Sequence, residues 1–176
     1  MSGHSHWSTI KRQKGAADSR RGQLFGKLAR EIAITAREGE DPAFNPKLRL
    51  AIDKAREVNM PKANIKRAID KGAGGGKGES LQEIVLEGYG PVGVAIKIFA
   101  VSDNKNRTVA EIRSLLQRFG GSLGEQGSTA FVFDEEGNST FTVPVTEKEM
   151  AKKVLDLTNS LDDHDDVTEV WANFDI

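Results

Sequence analysis

Gly72-Ala73-Gly74-Gly75-Gly76-Lys77-Gly78 divides this chain, because five glycines in seven residues hold regular structure poorly and the hydrophobic period changes across them. On the N-terminal side the period is helical. Pro61 opens a helix that turns Ile65, Ala68 and Ile69 inward and Lys62, Lys66, Arg67 and Lys71 outward, and Gly72 is its expected stop. Upstream, Asn45-Pro46 supplies a cap and a first helical residue for a helix through Leu48, Ala51, Ile52, Ala55 and Val58. An earlier helix starts at Asp18. Its apolar stripe is Leu24, Phe25, Leu28, Ile32 and Ala36, with Arg20, Arg21, Lys27, Arg30 and Arg37 largely elsewhere and Gly39 as a terminator. Residues 1–17 show no apolar period and read as an arm. Three helices with short connections predict a small bundle over 18–71.

On the C-terminal side of the 72–80 linker, period-two patterns appear. Ile84 and Leu86, then Val92, Val94, Ile96 and Ile98, predict a hairpin turning at Gly88-Tyr89-Gly90-Pro91. Asn106 to Gly120 predicts a helix burying Val109, Ile112, Leu115, Leu116 and Phe119, capped by Asn106 or Asp103. Ala130 to Phe133 and Thr140 to Val145 predict two strands joined by a turn at Glu136-Gly137-Asn138. Thr146 and Glu149 have capping-box spacing ahead of a helix carrying Met150, Val154, Leu157 and Leu161, and Val167 to Asn173 predicts a last strand. The fold class expected for 81–176 is α+β, helices packed on one face of a mainly antiparallel sheet.

Charge follows the same division. Residues 1–77 hold 17 of the 25 Lys and Arg against 8 of the 26 Asp and Glu, a formal +9, while the remainder carries −10. A contiguous basic half points to a polyanion partner. The absence of Cys excludes thiolate catalysis, Cys-ligated zinc and disulfides. No apolar run approaches the roughly 18 residues of a membrane span, and the first residues lack the apolar core of a signal peptide. A cytoplasmic protein, without membrane association, is expected.

Catalytic and cofactor chemistry find no support. The glycine run next to Lys77 and Ser80 misses phosphate-loop spacing, so no nucleotide cofactor is expected. His4 and His6 lack a third metal ligand, and Asp162-Asp163-His164-Asp165-Asp166 lacks the glycine and distal glutamate of a calcium loop, so it reads as a solvated turn with no metal. His164 has only acidic neighbours in sequence, which leaves a hydrolytic triad unsupported. The arm and first helix differ, since Trp7 offers a stacking face among Lys11, Arg12, Lys14, Arg20, Arg21, Lys27 and Arg30. Docking of the indole on the bundle is an equal role for Trp7. Lys66 and Arg67 extend the cation series, and Arg107 with Lys105 is expected to stay unpaired beside the 103–108 polar cluster.

With these segments in place, the chain resembles the YebC/PmpR family, whose mitochondrial counterpart is the translational activator of cytochrome c oxidase. The resemblance rests on Gly3-His4-Ser5-His6-Trp7 with Ile10-Lys11 and Lys14, Phe25-Gly26-Lys27 with Arg30-Glu31, and Asn45-Pro46-Lys47-Leu48-Arg49 with Ala51. It continues through Asn59-Met60-Pro61, Ile65 to Ile69, Glu87-Gly88-Tyr89-Gly90-Pro91, Asp103 to Thr108 and Gly120 to Gly124. It implies a bacterial cytosolic protein described as a DNA-binding transcriptional regulator and also linked to translation, acting on the ribosome at proline runs. It implies His4, His6 and Trp7 as nucleic-acid contacts within the arm. Two departures stand out: His6 replaces the usual Lys, and the ferredoxin-like domain that the family inserts within the second domain is missing near 134–141.

The expected function is a non-enzymatic nucleic-acid-binding regulator, foremost a monomeric factor for ribosomal RNA. A DNA-binding regulator and a protein adaptor using the acidic domain are the alternatives. RNA is favoured because no helix-turn-helix reading surface or dimer seam is evident, and because an arm that folds on contact needs only cations and an aromatic.

Overall fold

A computed structural model describes residues 18–74 and 81–176. The arm, with His4, His6, Trp7, Lys11, Arg12 and Lys14, and linker residues 75–80 lie outside the described residues. The chain forms two compact units, one comprising Ala16–Glu83 with Val101–Asn104, the other including Ile84–Ala100 and Lys105–Ile176.

The first unit is built on α1 (Asp18–Ala36), α2 (Pro46–Glu57) and α3 (Lys62–Ala73). Asn45 caps α2: its Oδ1 accepts from the Leu48 N–H at 3.1 Å, and its Nδ2 donates to the carbonyls of Thr35 and Gly39 at 2.8 Å. One buried side chain thus closes the end of α1 and opens α2. Ile32, Leu48, Ala51 and Ala55 are almost wholly buried at the centre of the bundle, and Lys54 of α2 pairs with Glu31 of α1 at 3.0 Å. The expected stop at Gly72 is corrected: α3 continues to Ala73 with Gly74 as its cap. Gly72 is buried where α3 crosses α1, and a Cβ there would lie 2.0 Å from the Ala33 carbonyl oxygen. Close approach of two backbones, rather than chain termination, requires this glycine. Ala33 also packs with Leu81 and Val101 in the same unit.

The second unit is α+β. Its elements, of which β1 and β2 also include the stretches 82–83 and 101–102 grouped with the first unit, are β1 (Gln82–Tyr89), a 3-10 turn (Pro91–Gly93), β2 (Ala95–Ser102), α4 (Lys105–Arg118), β3 (Ser122–Leu123), β4 (Val143–Pro144), α5 (Lys148–Asp162), β5 (Val167–Ala172) and β6 (Phe174–Asp175). The main sheet has the order β3-β1-β2-β5. β3 pairs antiparallel with β1 and β5 antiparallel with β2, aligning Ile96 with Ala172 and Ile98 with Val170. These residues share one face with Ile84, Val94 and Ala100, and they bury Ile112 and Leu116 of α4 and Val154, Leu157 and Leu161 of α5. The alternation of β2 and the 3.6-residue stripes of both helices meet in one core.

The other sheet face carries Ala95, Lys97, Phe99 and Trp171. Phe99 meets Trp171 edge-on at 4.6 Å between centroids, and the Lys97 Nζ stands 5.4 Å from the indole. Val132 and Phe133 cover this face. The two strands expected over 130–133 and 140–145 are therefore corrected. Residues 127–132 turn through Ala130 N–H to Gly127 and Val132 N–H to Thr129, a lone bridge joins Phe133 to Ser139, and only Val143–Pro144 is strand, parallel to β6. Val132 and Phe133 pack against Trp171, whereas Val143 and Val145 join the core on the opposite face. Gly137, at φ +83°, lies flat on the indole. The capping box is absent as well: α5 begins after Glu147, without a side-chain cap.

Glu87 anchors this covering segment. Its carboxylate is buried and accepts from the N–H groups of Gly127 at 3.0 Å and Thr129 at 2.7 Å, and from the Thr129 hydroxyl at 2.7 Å. Burial alone would raise its pKa, but the hydrogen bonds from Thr129 and Gly127, aided by the Lys97 charge, hold it below the ordinary 4.5.

Two outcomes follow from this packing. Gly72→Ala should lower unfolding stability by at least about 2 kcal/mol in urea titration, because neither backbone can yield to the new methyl. The folded Glu87 carboxyl binds its proton more weakly than the unfolded one, so its stabilisation is complete above pH 4.5 and fades as pH falls through the lower folded value. Glu87→Gln should cost about 1–3 kcal/mol at neutral pH and flatten the acid limb of the stability curve.

Candidate nucleic-acid interface

The exposed cations of the first unit distribute unevenly. Arg20 and Arg21 are exposed in the first turn of α1, while Arg30, three turns on, is half-buried. Lys27 is corrected from the outward set: it is only 8% exposed. On α3, Lys66 and Arg67 are both exposed but face different neighbours. Lys66 bonds Asp70 at 2.8 Å and lines a hollow of mixed charge with Arg56, Lys62, Glu40, Asp41 and Asp70. The hydrogen bond and charge of Asp70 raise the pKa of Lys66. Its charge is locally balanced by acids.

Arg67 lies on the other side of α3, where a groove of about 520 Å³ runs between α1 and α3. Among the described residues its charged lining is Arg30, Arg67 and Lys71. Phe25, Ala29, Met60 and Ala68 make an apolar floor, and Gly26, Ala29 and Ala33 keep the α1 wall low. Arg67 donates from its guanidinium to the Asn64 Oδ1 and from Nε to the Ala63 carbonyl, which fixes the fork along its own helix. Three cations over an apolar floor suit a phosphate chain with a planar group attached. Sequence reasoning placed Lys71 outward without assigning it to a site, although its i, i+4 spacing from Arg67 signals one face. Phe25 and Met60 were hidden by their service to the bundle core.

Arg107 does not join this set. It lies in the α+β unit and pairs with the buried Asp166 at 2.9 Å, where the Thr108 hydroxyl also donates at 2.7 Å. The expectation of an unpaired Arg107 is thereby corrected, as is the solvated-turn reading of 162–166. Helix α4 begins at Lys105, so Asn106 occupies its first turn and does not cap it. His164 bonds Glu111 at 2.7 Å through Nε2 and accepts the Asp166 N–H through Nδ1. Glu111, His164 and Asp166 bring three potential ligand atoms within 4.8 Å, but Arg107 already balances the buried carboxylate. The cluster ties α4 to the turn before β5. Among the described residues, no helix is long and apolar enough to cross a membrane.

Comparisons with known proteins agree on one lineage. Sequence models of the TACO1/YebC protein N-terminal domain and of the TACO1/YebC second and third domain match residues 5–75 and 81–143. A probable transcriptional regulatory protein of Listeria innocua is 46% identical, with 98% of this chain and 73% of that protein covered. A namesake from Trichlorobacter lovleyi is 55% identical over 138 residues, 78% of this chain but 56% of that protein, so the match spans just over half its length. Another, from Dictyoglomus turgidum, is 39% identical over an alignment of 240 positions covering all of this chain and 96% of the relative. That alignment exceeds the 176 residues here, so part of the relative has no counterpart. The crystal structure of a conserved hypothetical protein from Aquifex aeolicus superposes with a TM-score of 0.82 at 34% identity, over 90% of this chain and 92% of that one.

If the groove cations meet phosphates, the Arg30→Ala, Arg67→Ala, Lys71→Ala triple variant should bind single-stranded RNA more weakly. Its log-affinity against log-salt slope should flatten by about 2, read by fluorescence anisotropy.

Proposed function

The chain belongs to the TACO1/YebC family, and on that footing we propose that it is a non-enzymatic regulator of gene expression that binds nucleic acid through its basic N-terminal half. Its partner in this reading is ribosomal RNA, and its action is on translation, easing the ribosome past proline runs. The supporting observation is the groove between α1 and α3, which among the described residues presents Arg30, Arg67 and Lys71 beside Phe25, Ala29, Met60 and Ala68. A concave slot suits the splayed, irregular surface of folded RNA better than the major groove of a DNA duplex, which is read by a protruding helix. Lys11, Arg12 and Lys14 extend the phosphate contacts, Trp7 stacks on a base, and His4 and His6 add donors whose charge depends on pH. The acidic α+β unit is repelled by the same polyanion and orients the basic unit towards it. The protein works as a cytoplasmic monomer without the inserted third domain, whose place is the turn over 134–140.

The names of the relatives favour a second reading, sequence-specific DNA binding. Co-sedimentation with purified ribosomes across a salt series, with promoter and random duplex DNA as competitors, separates the two. Binding to the large subunit that persists in excess DNA is expected, and the Lys11→Ala, Arg12→Ala, Lys14→Ala variant should lose affinity and salt dependence together. Full competition by promoter DNA, with roughly 10³-fold preference over random duplex, would instead establish the DNA regulator. Absence of polyanion binding at moderate salt would point to an adaptor.

A further inference from the structure

We propose that the α1–α3 groove is a slot for one unpaired nucleotide, so that the bundle selects single-stranded or bulged RNA over continuous duplex; this rests on the nucleic-acid reading above and names its ligand. The groove volume of about 520 Å³ falls in the range of roughly 300–1,000 Å³ typical of small-molecule sites. It is larger than a docking point for a lone phosphate requires. Phe25 and Met60 line its apolar part, and a flat base can lie against them without a hydrogen-bonding cost. Arg30, Arg67 and Lys71 supply charge for the phosphates on either side of that base.

A paired base cannot enter such a slot, because its faces are stacked and its edge is engaged. The phosphates of an intact helix can still touch the cations. Duplex binding through charge alone is therefore the baseline, and the slot adds preference for an unpaired base. Gly26 gives direct access to this distinction. It lines the groove, and a Cβ added there meets nothing within 4 Å. Gly26→Leu thus fills the slot without touching a charge, and it replaces a poor helix former with a good one inside α1. Ala29→Met fills the same space from the next turn.

The experiment compares three labelled RNAs of matched composition: a short single strand, a hairpin with one bulged nucleotide and an uninterrupted hairpin duplex. The full chain should prefer the first two by at least about fivefold, the lower end of what one stacked base contributes. Gly26→Leu and Ala29→Met, each shown folded by circular dichroism, should bring the three affinities together and keep the duplex affinity and salt slope. An unchanged preference in both variants overturns the slot, as does tighter binding to duplex DNA than to any of the RNAs. The Arg30, Arg67, Lys71 triple-alanine variant keeps the two failures apart. If it binds every RNA like the unaltered chain, the basic-bundle reading itself fails; if it weakens all three while the fillers change nothing, only the slot fails.

Discussion

At Gly72 the backbone of α3 comes so near the carbonyl of Ala33 that no side chain fits between them. The basic groove depends on this contact. It fixes where α3 lies against α1, and hence how Arg67 and Lys71 stand opposite Arg30. Gly26 and Ala29 lie two turns and one turn before Ala33 on the same helix, so one small-sided face first opens the slot and then seals the crossing. Asn45 locks the third helix to this pair through two carbonyls at the end of α1. The helix backbones that carry this cation face are held in place by packing.

The α+β unit uses buried charge for a different purpose. Glu87 and Asp166 are carboxylates below the surface, and each gathers donors from a segment distant in sequence. Glu87 organises the start of the segment that covers Trp171, and Asp166 ties the turn before β5 to α4. Leaving either carboxylate without its donors is costly, so each acts as a specifier of one arrangement as much as a source of stability. The acidity of this half is therefore only partly a surface property.

Much of the architecture was legible in the sequence because local signals agreed with tertiary packing. Asn45-Pro46 announced the start of α2, Pro61 that of α3, and the apolar stripes of α1 and α5 faced the core as spaced, while in α4 Thr108 rather than Val109 takes the buried place beside Ile112 and Leu116. Errors arose where one residue type serves two causes. Gly72 looked like a terminator but serves a helix crossing. Phe131, Val132 and Phe133 looked like a strand, yet they belong to a turn whose apolar side chains cover a sheet from outside, with Phe131 instead stacked on Phe141 at 6.4 Å. The two-residue strand Ser122–Leu123 carries too little pattern to register at all. Site residues were harder. Basic composition singled out Arg30 and Arg67, which line the groove, but also Lys27, which is buried, and Arg107, whose partner lies 59 residues away in sequence. Phe25 and Met60 follow from geometry alone, since a core stripe and a groove floor look alike in one dimension.

The turn at Asp134 has a consequence for how such a protein can change over generations. Its carboxylate takes the N–H groups of Glu136 and Asn138, and Phe133 and Ser139 are bridged beneath it. Entry and exit of the loop thus stand side by side, with Phe133 and Gly137 on the indole of Trp171 and residues 134–136 exposed. Lengthening a loop with paired ends costs entropy that grows only with the logarithm of its length, about 0.6 kcal/mol per doubling. A longer connection that kept the Phe133–Ser139 bridge would leave Val132 and Phe133 on Trp171. Length at this turn is thereby separable from the packing of the sheet.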